Sequence, residues 1–262
     1  MDLQLTDKLA LVSGSTKGIG HAIAKLLARE GARVIVNGRS DAGVGQALSE
    51  IRREVPGAKL EGFACDLAEA SGAAALQERF PQVDILVNNL GIYQPQPFEE
   101  IPDEEWRRFF EVNVLSAVRL SRLYLPAMRK MNWGRIVFLS SESGIQIPVE
   151  MIHYGMTKTA LLAVSRGIAE SCTGSGVTSN AVLPGPTLSA GVGEFAAQLS
   201  GGRPLAEFEQ EFFQNVRPSS LLKRFATTDE VASLVAFVCS PLSVATNGAA
   251  LRVDGGVVRS CF

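Results

Sequence analysis

The chain has 262 residues, 46% hydrophobic and 20% charged, which is enough apolar material for a large core and too little charge for a disordered polymer. A formal net charge of −2, without a long Lys or Arg run, leaves no electrostatic footprint for nucleic acid or an anionic membrane. No apolar run is long enough to span a bilayer, and no basic start, apolar stretch and small-residue cleavage site marks a secretory signal, so a cytoplasmic protein with a small-molecule partner is expected. Cys65, Cys172, Cys239 and Cys261 form no Cys-x-x-Cys pair and read as reduced thiols. With His21 and His153 as the only histidines, no metal is expected.

Residues 8–13 read as a first strand that ends in Ser13-Gly14-Ser15-Thr16-Lys17-Gly18-Ile19-Gly20. Ile19, Ile23, Leu26 and Leu27 then recur at helical spacing up to Gly31, so the order is strand, glycine turn, helix. Residues 32–37 are the second strand, and Gly38-Arg39-Ser40 is a polar turn able to cap a helix running through Glu54. Residues 59–64 form the third strand, ending at Cys65-Asp66-Leu67. Residues 83–87 form the fourth, ending at Asn88-Asn89-Leu90-Gly91. Pro102 before Asp103, Glu104 and Glu105 opens a helix that extends to about Met131 and is expected to bend or adjust at Pro126. Residues 135–139 deliver Ser140 and Ser141 at the end of a fifth strand, and a buried helix carrying Tyr154 and Lys158 follows.

Residues 177–183 are the sixth strand, ending at Pro184-Gly185-Pro186-Thr187. Residues 188–225 break the rhythm and read as an inserted helical lid. Thr227-Thr228-Asp229-Glu230 is a capping box before the last helix, and residues 249–253 are the seventh strand. The alternation predicts an α/β fold over residues 1–262: a single Rossmann-type domain with a doubly wound, seven-stranded parallel sheet.

The glycine turn permits close backbone approach, so that amides at a helix N-terminus face a pyrophosphate. An acidic residue after the second strand would bind the free ribose 2′-hydroxyl of NAD. Arg39 stands there instead, with Lys17 in the glycine loop, and two cations suit a 2′-phosphate. NADP(H) is therefore expected, with NAD(H) second; the alternative is that both are ordinary solvated charges. Asp66 either meets the adenine amino group or caps the next helix. Asn88, Asn89 and Gly91 stand where cofactor crosses the sheet edge, or make ordinary turn contacts. Asn113 is an amide in an otherwise apolar helix and needs buried partners. Tyr154 and Lys158, four residues apart, share a helix face, which is the arrangement either of a general acid and its tuning cation or of an ordinary surface pair.

Taken together these residues resemble the short-chain dehydrogenase/reductase family, 3-oxoacyl carrier-protein reductase-like members included, over about Leu5 to Val257. The family's glycine motif falls on Gly14, Gly18 and Gly20, and its Asn-Asn-Ala-Gly motif on Asn88 to Gly91. The active-site set falls on Asn113, Ser141, Tyr154 and Lys158, and the Pro-Gly motif on Pro184 and Gly185. Ser13 replaces the usual Thr, and Leu90 replaces the usual Ala. The resemblance implies an oxidoreductase that moves a hydride between NADP(H) and a carbonyl or secondary alcohol. In it Ser141 holds the substrate oxygen, Tyr154 exchanges the proton, and Lys158 lowers the Tyr154 pKa and binds the nicotinamide ribose. Asn113 holds a relay water, and Thr187 and Ser189 meet the carboxamide. The implied cofactor contacts are Gly14, Ser15, Thr16, Lys17, Gly18, Ile19, Gly20, Arg39, Asp66, Leu67, Asn89, Gly91, Tyr154, Lys158, Pro184, Gly185, Thr187 and Ser189.

Ile145, Ile147, Val149 and Met151, with Phe195, Leu199, Phe208, Phe212 and Phe213 of the lid, offer an apolar pocket for a hydrophobic ketone, a ring ketone or a β-keto thioester. The alternative is that these aromatics pack the lid onto the body or onto a neighbouring subunit. The resemblance also implies a homotetramer or homodimer pairing the helices of residues 103–131 and 153–173. The tail of residues 257–262 either adds to that interface or is a disordered end. A second reading, an NADP(H)-binding sensor or scaffold without turnover, is opposed by the complete Asn113, Ser141, Tyr154 and Lys158 set.

Overall fold

The structure, a computed structural model, describes residues 1–189 and 204–261. In chain order the strands are β1 (Leu9–Val12), β2 (Arg33–Gly38), β3 (Lys59–Ala64), β4 (Ile85–Asn88), β5 (Gly134–Leu139), β6 (Val177–Pro184), β7 (Thr187–Leu188), β8 (Ala226–Thr227) and β9 (Ala250–Val253). Seven of them form one parallel sheet in the order β3-β2-β1-β4-β5-β6-β9, as expected from the alternation. The chain winds outward from β1 to β3, then crosses back and builds β4 on the other side of β1. That reversal opens a crevice beyond the carboxyl ends of β1 and β4.

Helices cover both faces, and each face has its own core. On one, α1 (Gly18–Arg29), α2 (Asp41–Glu54) and a late helix, introduced below, meet the sheet through Ile23, Leu27, Ile51 and Val235, all fully buried. On the other, α3 (Ala70–Arg79), α4 (Asp103–Phe110), α5 (Ser116–Lys130) and α6 (Ile152–Ser171) follow, and Leu76, Leu120, Tyr124 and Leu161 fill the gap beneath α3, α5 and α6. The central strands are buried on both faces, which is why Val34, Ile35 and Val36 run without a polar interruption. Ser40 caps α2 through its hydroxyl, which accepts from the Gly43 amide at 3.3 Å.

Three details depart from the sequence expectation. The helix from Pro102 carries Pro126 inside α5 without ending there. Its ladder widens over Glu111–Leu115, where the Ser116 amide reaches back five residues to the Glu111 carbonyl. A single wide turn of this kind rotates the residues it contains, and Asn113 is one of them. The inserted segment is tied at its base by a small parallel pair that sequence patterning does not reveal, β7 with β8. After it come α7 (Leu205–Asn215) and α8 (Thr228–Cys239), the late helix of the first face, and α8 opens on the expected capping box between Thr227 and Glu230. Phe195, Leu199 and Phe262 lie outside the described residues. The tail is neither loose nor displayed for a partner as far as Val258. Val257 and Val258 are buried within the chain, and Arg252 donates to the carbonyls of Val258 and Ser260.

The edge strand β9 is held partly by one amide. Asn180 of β6 is fully buried; its Nδ2 donates to the Thr246 carbonyl at 2.8 Å and its Oδ1 accepts from the Ala249 amide at 3.0 Å. Asn180→Ala leaves two part-buried backbone groups without their side-chain partner and is expected to cost about 1 kcal/mol. Urea unfolding checks this as a lower midpoint at unchanged m-value.

Candidate active site

The crevice is shaped by a knot of polar side chains where β1, β2 and β4 end. The Ser13 hydroxyl donates to the Val87 carbonyl and accepts from the amides of Asn89 and Leu90 at 2.9 and 3.0 Å. Asn89 returns the contact, donating through Nδ2 to the carbonyls of Ser13 and Gly14. Asn37, the polar residue at the end of β2, accepts from the Gly14 amide at 3.1 Å and donates to the carbonyls of Phe63 and Cys65. Ser15 is fully buried and turns inward, accepting from the Asn37 amide and donating to the Val12 carbonyl. Sequence reasoning missed Asn37; its signal is an amide closing an otherwise apolar strand.

The turn these contacts hold is suited to a phosphate. Gly14 and Gly18 have φ of +61° and +60°, a region closed to most side chains. A methyl group on Gly20 would lie 2.4 Å from Asn89 Nδ2 and 2.6 Å from the Gly14 carbonyl oxygen. Helix α1 starts after Lys17 with no side-chain cap and no acidic residue in its first turn, which leaves its leading amides to an anion. Lys17 and Arg39 are exposed and form no ion pair among the described residues, so this chain's own groups fit the pyrophosphate and 2′-phosphate of NADP(H).

Of the expected cofactor contacts, Gly14, Lys17, Gly18, Ile19, Gly20, Asn89, Gly91, Tyr154, Lys158, Pro184, Gly185, Thr187 and Ser189 line one cleft of about 1410 Å³. Ser15, Thr16, Arg39, Asp66 and Leu67 do not. The Asp66 carboxylate accepts from the Ala68 amide at 2.9 Å in a turn ahead of α3, whose N-cap is Glu69 rather than Asp66, and the Leu67 side chain is buried in the core. The Leu90 side chain packs beside Gly14, with Cδ1 3.4 Å from where a Gly14 methyl would stand.

The catalytic candidates converge on the opposite wall. Asn113 is fully buried; it accepts from the Ile92 amide at 2.7 Å and donates to the Ile92 carbonyl and to Thr157 Oγ1, both at 3.0 Å. Thr157 in turn donates to the Tyr154 carbonyl at 2.7 Å, so the widened turn of the preceding helix is tied to the first turn of α6. Asn113 therefore has the buried partners that its place in the sequence demands. Ser141 follows β5, accepts from the Ser143 amide and lines the same cleft as Tyr154. Lys158 is buried and donates from Nζ to the Leu139 carbonyl at 2.9 Å, with Nζ 5.5 Å from the Tyr154 ring centre.

Burial governs the electrostatics of this pair. Burial pushes the Tyr154 phenol above its ordinary range, and the Ser141 hydroxyl and the Arg217 charge offset this only in part. Glu142 and Tyr93 push it further up. Lys158 is not among the causes, because burial pulls its own ammonium down to about 8 and its proton is engaged by a carbonyl. Burial thus keeps the tyrosine a protonated donor.

The substrate end is less apolar than the sequence implies. Val149, Met151, Phe208, Phe212 and Phe225 do line the cleft, while Ile145 and Ile147 do not. Phe213 is buried and packs edge-on against Phe225 at 5.2 Å, so the aromatics divide between lining the cleft and anchoring α7. Among the lining residues sits an ion cluster that sequence reasoning missed: Arg217 donates from Nε to Glu142 at 3.0 Å and from Nη1 to Glu150 at 3.2 Å. Glu142 left one signal, a charge directly after the two serines of a strand end; Arg217, in an aperiodic segment, left none.

Burial of Lys158 predicts a pH effect on stability. Folding lowers its pKa from 10.5 to about 8, so the folded chain binds that proton more weakly than the unfolded chain. The resulting penalty is full below pH 8 and vanishes as pH rises towards 10.5. Lys158→Met, without cofactor, is expected to melt above wild type at pH 7, with the gap closing through that window in thermal unfolding.

Comparison with known proteins places this geometry. A family model described as Enoyl-(Acyl carrier protein) reductase matches residues 14–258. The chain is 49% identical over 264 residues to the uncharacterized oxidoreductase YvaG of Bacillus subtilis, covering 100% of both chains. It is 33% identical to the 3-oxoacyl-[acyl-carrier-protein] reductase FabG of Aquifex aeolicus, covering 98% of this chain and 100% of the other. The crystal structure of L-sorbose reductase from Gluconobacter frateurii, complexed with NADPH and L-sorbose, superposes with a TM-score of 0.93 at 30% identity, over 99% of this chain and 100% of that one. The chain belongs to the short-chain dehydrogenase/reductase family of oxidoreductases.

Proposed function

We propose that the protein is an NADP(H)-dependent reductase or dehydrogenase that interconverts a carbonyl and a secondary alcohol on a small molecule with a hydrophobic body. The observation that carries this reading is the meeting of Ser141, Tyr154 and Lys158 on the wall of one cleft whose far end is the open glycine turn. The relative crystallised with NADPH and L-sorbose supports both the cofactor and the reaction class.

When bound, the nicotinamide supplies or accepts the hydride. The chain's own residues do the rest. Lys17 and Arg39 select the phosphorylated ribose by charge. Ser141 orients the substrate oxygen beside Tyr154, whose phenol, held protonated by burial, donates to that oxygen in reduction. Lys158 keeps its proton at pH 7 and places a cation within 5.5 Å of the phenol ring, where it favours the phenolate left after donation. Asn113 fixes the start of α6 through Thr157, so that the phenol does not drift from the reacting atom. The proposal includes assembly into a homotetramer or homodimer through α4, α5 and α6, which light scattering of the purified chain measures.

NADPH oxidation against a panel of hydrophobic ketones and β-keto esters tests the reading. Tyr154→Phe is expected to lower kcat/KM by about a hundred- to ten-thousand-fold, the usual contribution of a general acid. If NADPH binds and no compound gives Tyr154-dependent turnover, the chain is a sensor or scaffold instead. Arg39→Ala is expected to raise the KM for NADPH roughly tenfold, a loss of about 1.4 kcal/mol, and to leave NADH unchanged. An unchanged preference for NADPH removes Arg39 from cofactor selection.

A further inference from the structure

The cluster at the substrate end carries information about what the cleft accepts. Glu142 follows Ser141 directly and lines the same cleft as Ser141 and Tyr154. Its side chain is only 5% exposed, and that of Arg217 is 10% exposed. Glu142 Oε1 accepts from Arg217 Nε, and Oε2 accepts from the Ser143 hydroxyl at 2.8 Å. A carboxylate can accept about four hydrogen bonds, so acceptor capacity remains on both oxygens. Arg217 spends Nη1 on Glu150 and on the Val216 carbonyl, and its Nη2 takes no acceptor among the described residues. Glu142, Glu150 and Arg217 therefore bring to the cleft both spare acceptors and a spare donor.

Each class of substrate group meets this cluster differently. A carboxylate faces two like charges against one guanidinium that is already paired twice. An ammonium finds acceptors but is opposed by the same guanidinium and can accept nothing from it. A methyl or methylene group covers the spare acceptors and donor without pairing them, which is costly in a buried site. A hydroxyl both donates and accepts, and it satisfies carboxylate and guanidinium together.

We infer that Glu142, Arg217 and Glu150 make the cleft select substrates with an uncharged hydroxyl beside the reacting carbonyl, and reject those with a carboxylate in that place. This rests on reading the cleft as a carbonyl-reducing site. The apolar wall of Val149, Phe208 and Phe212 takes the hydrocarbon part, so the favoured compound is a hydroxyketone with an apolar body. Sites built to pair a polar substrate group discriminate strongly against analogues that lack it.

Three compounds differing only beside the carbonyl test this: phenacyl alcohol, acetophenone and phenylglyoxylate. With wild type and NADPH, kcat/KM is expected to be at least tenfold higher for phenacyl alcohol than for either other compound, with the difference in KM. In Glu142→Gln the ratio of phenylglyoxylate to phenacyl alcohol is expected to rise at least tenfold. Glu150→Gln, on the more exposed rim, is expected to shift the same ratio in the same direction by less. A purely structural tie between α7 and the floor would change stability and leave the ranking unmoved, and that result overturns the inference. Calorimetric binding of the three compounds to Tyr154→Phe with NADPH separates this from failure of the reaction itself. Tighter binding of phenacyl alcohol without wild-type turnover sinks the proposed activity and keeps the selectivity. Equal binding of all three, or tightest binding of phenylglyoxylate, sinks the selectivity whether or not wild type turns over.

Discussion

Everything the cleft does depends on holding the carboxyl ends of β1, β2 and β4 in register while leaving the backbone between them bare. A parallel sheet offers no backbone partners beyond its strand ends, so side chains must take over there. Ser13, Asn37 and Asn89 do this with hydroxyl and amide groups that each bridge two segments. The result is a glycine turn pinned from both sides. The pinning uses groups ahead of α1, and that helix opens with no side-chain cap on its leading amides. The replacement of threonine by Ser13 keeps the hydroxyl on which this arrangement turns, and Leu90 packs against the turn without disturbing it.

At the other end of the cleft, burial sets the chemistry. Low polarity raises the phenol of Tyr154 and lowers the ammonium of Lys158, so that both lean towards their neutral forms. The carboxyl of Glu142 is likewise raised by burial, against which the neighbouring Arg217 and Ser143 pull it down. Arg217 stands just beyond the end of α7, so it joins the segment closing the cleft to the floor that carries Ser141. The same side chain therefore connects the placing of α7 with the electrostatics of the proton donor. An ion pair at this depth contributes little net stability as a rule, and a role in choosing what enters the cleft gives it a different justification.

Much of this was legible from the residues alone, for physical reasons that vary with the element. Strands buried on both faces write continuous apolar runs, and all seven strands of the main sheet were expected within two residues of their observed ends. Glycines in a turn and a capping box are local signals, and both the turn before α1 and the box before α8 are where they were expected. What escaped was set by contacts distant in sequence. The widened turn at Glu111–Leu115 answers to Asn113 meeting Ile92 and Thr157, and no local propensity announces it. The tuning of Tyr154 by Lys158 was inferred from spacing, yet a shared helix face does not reveal that Lys158 turns to the Leu139 carbonyl. The cluster around Arg217 joins residues 67 and 75 positions apart, far beyond any periodicity.

The central claim is that one cleft holds NADP(H) from the glycine turn to Tyr154. A crystal structure of the chain grown with NADPH measures this most directly. The account predicts the adenosine 2′-phosphate between Lys17 and Arg39, the pyrophosphate on the first amides of α1, and the nicotinamide against Tyr154 and Lys158. Density for the cofactor elsewhere, or a glycine turn without bound phosphate at saturating NADPH, would contradict it.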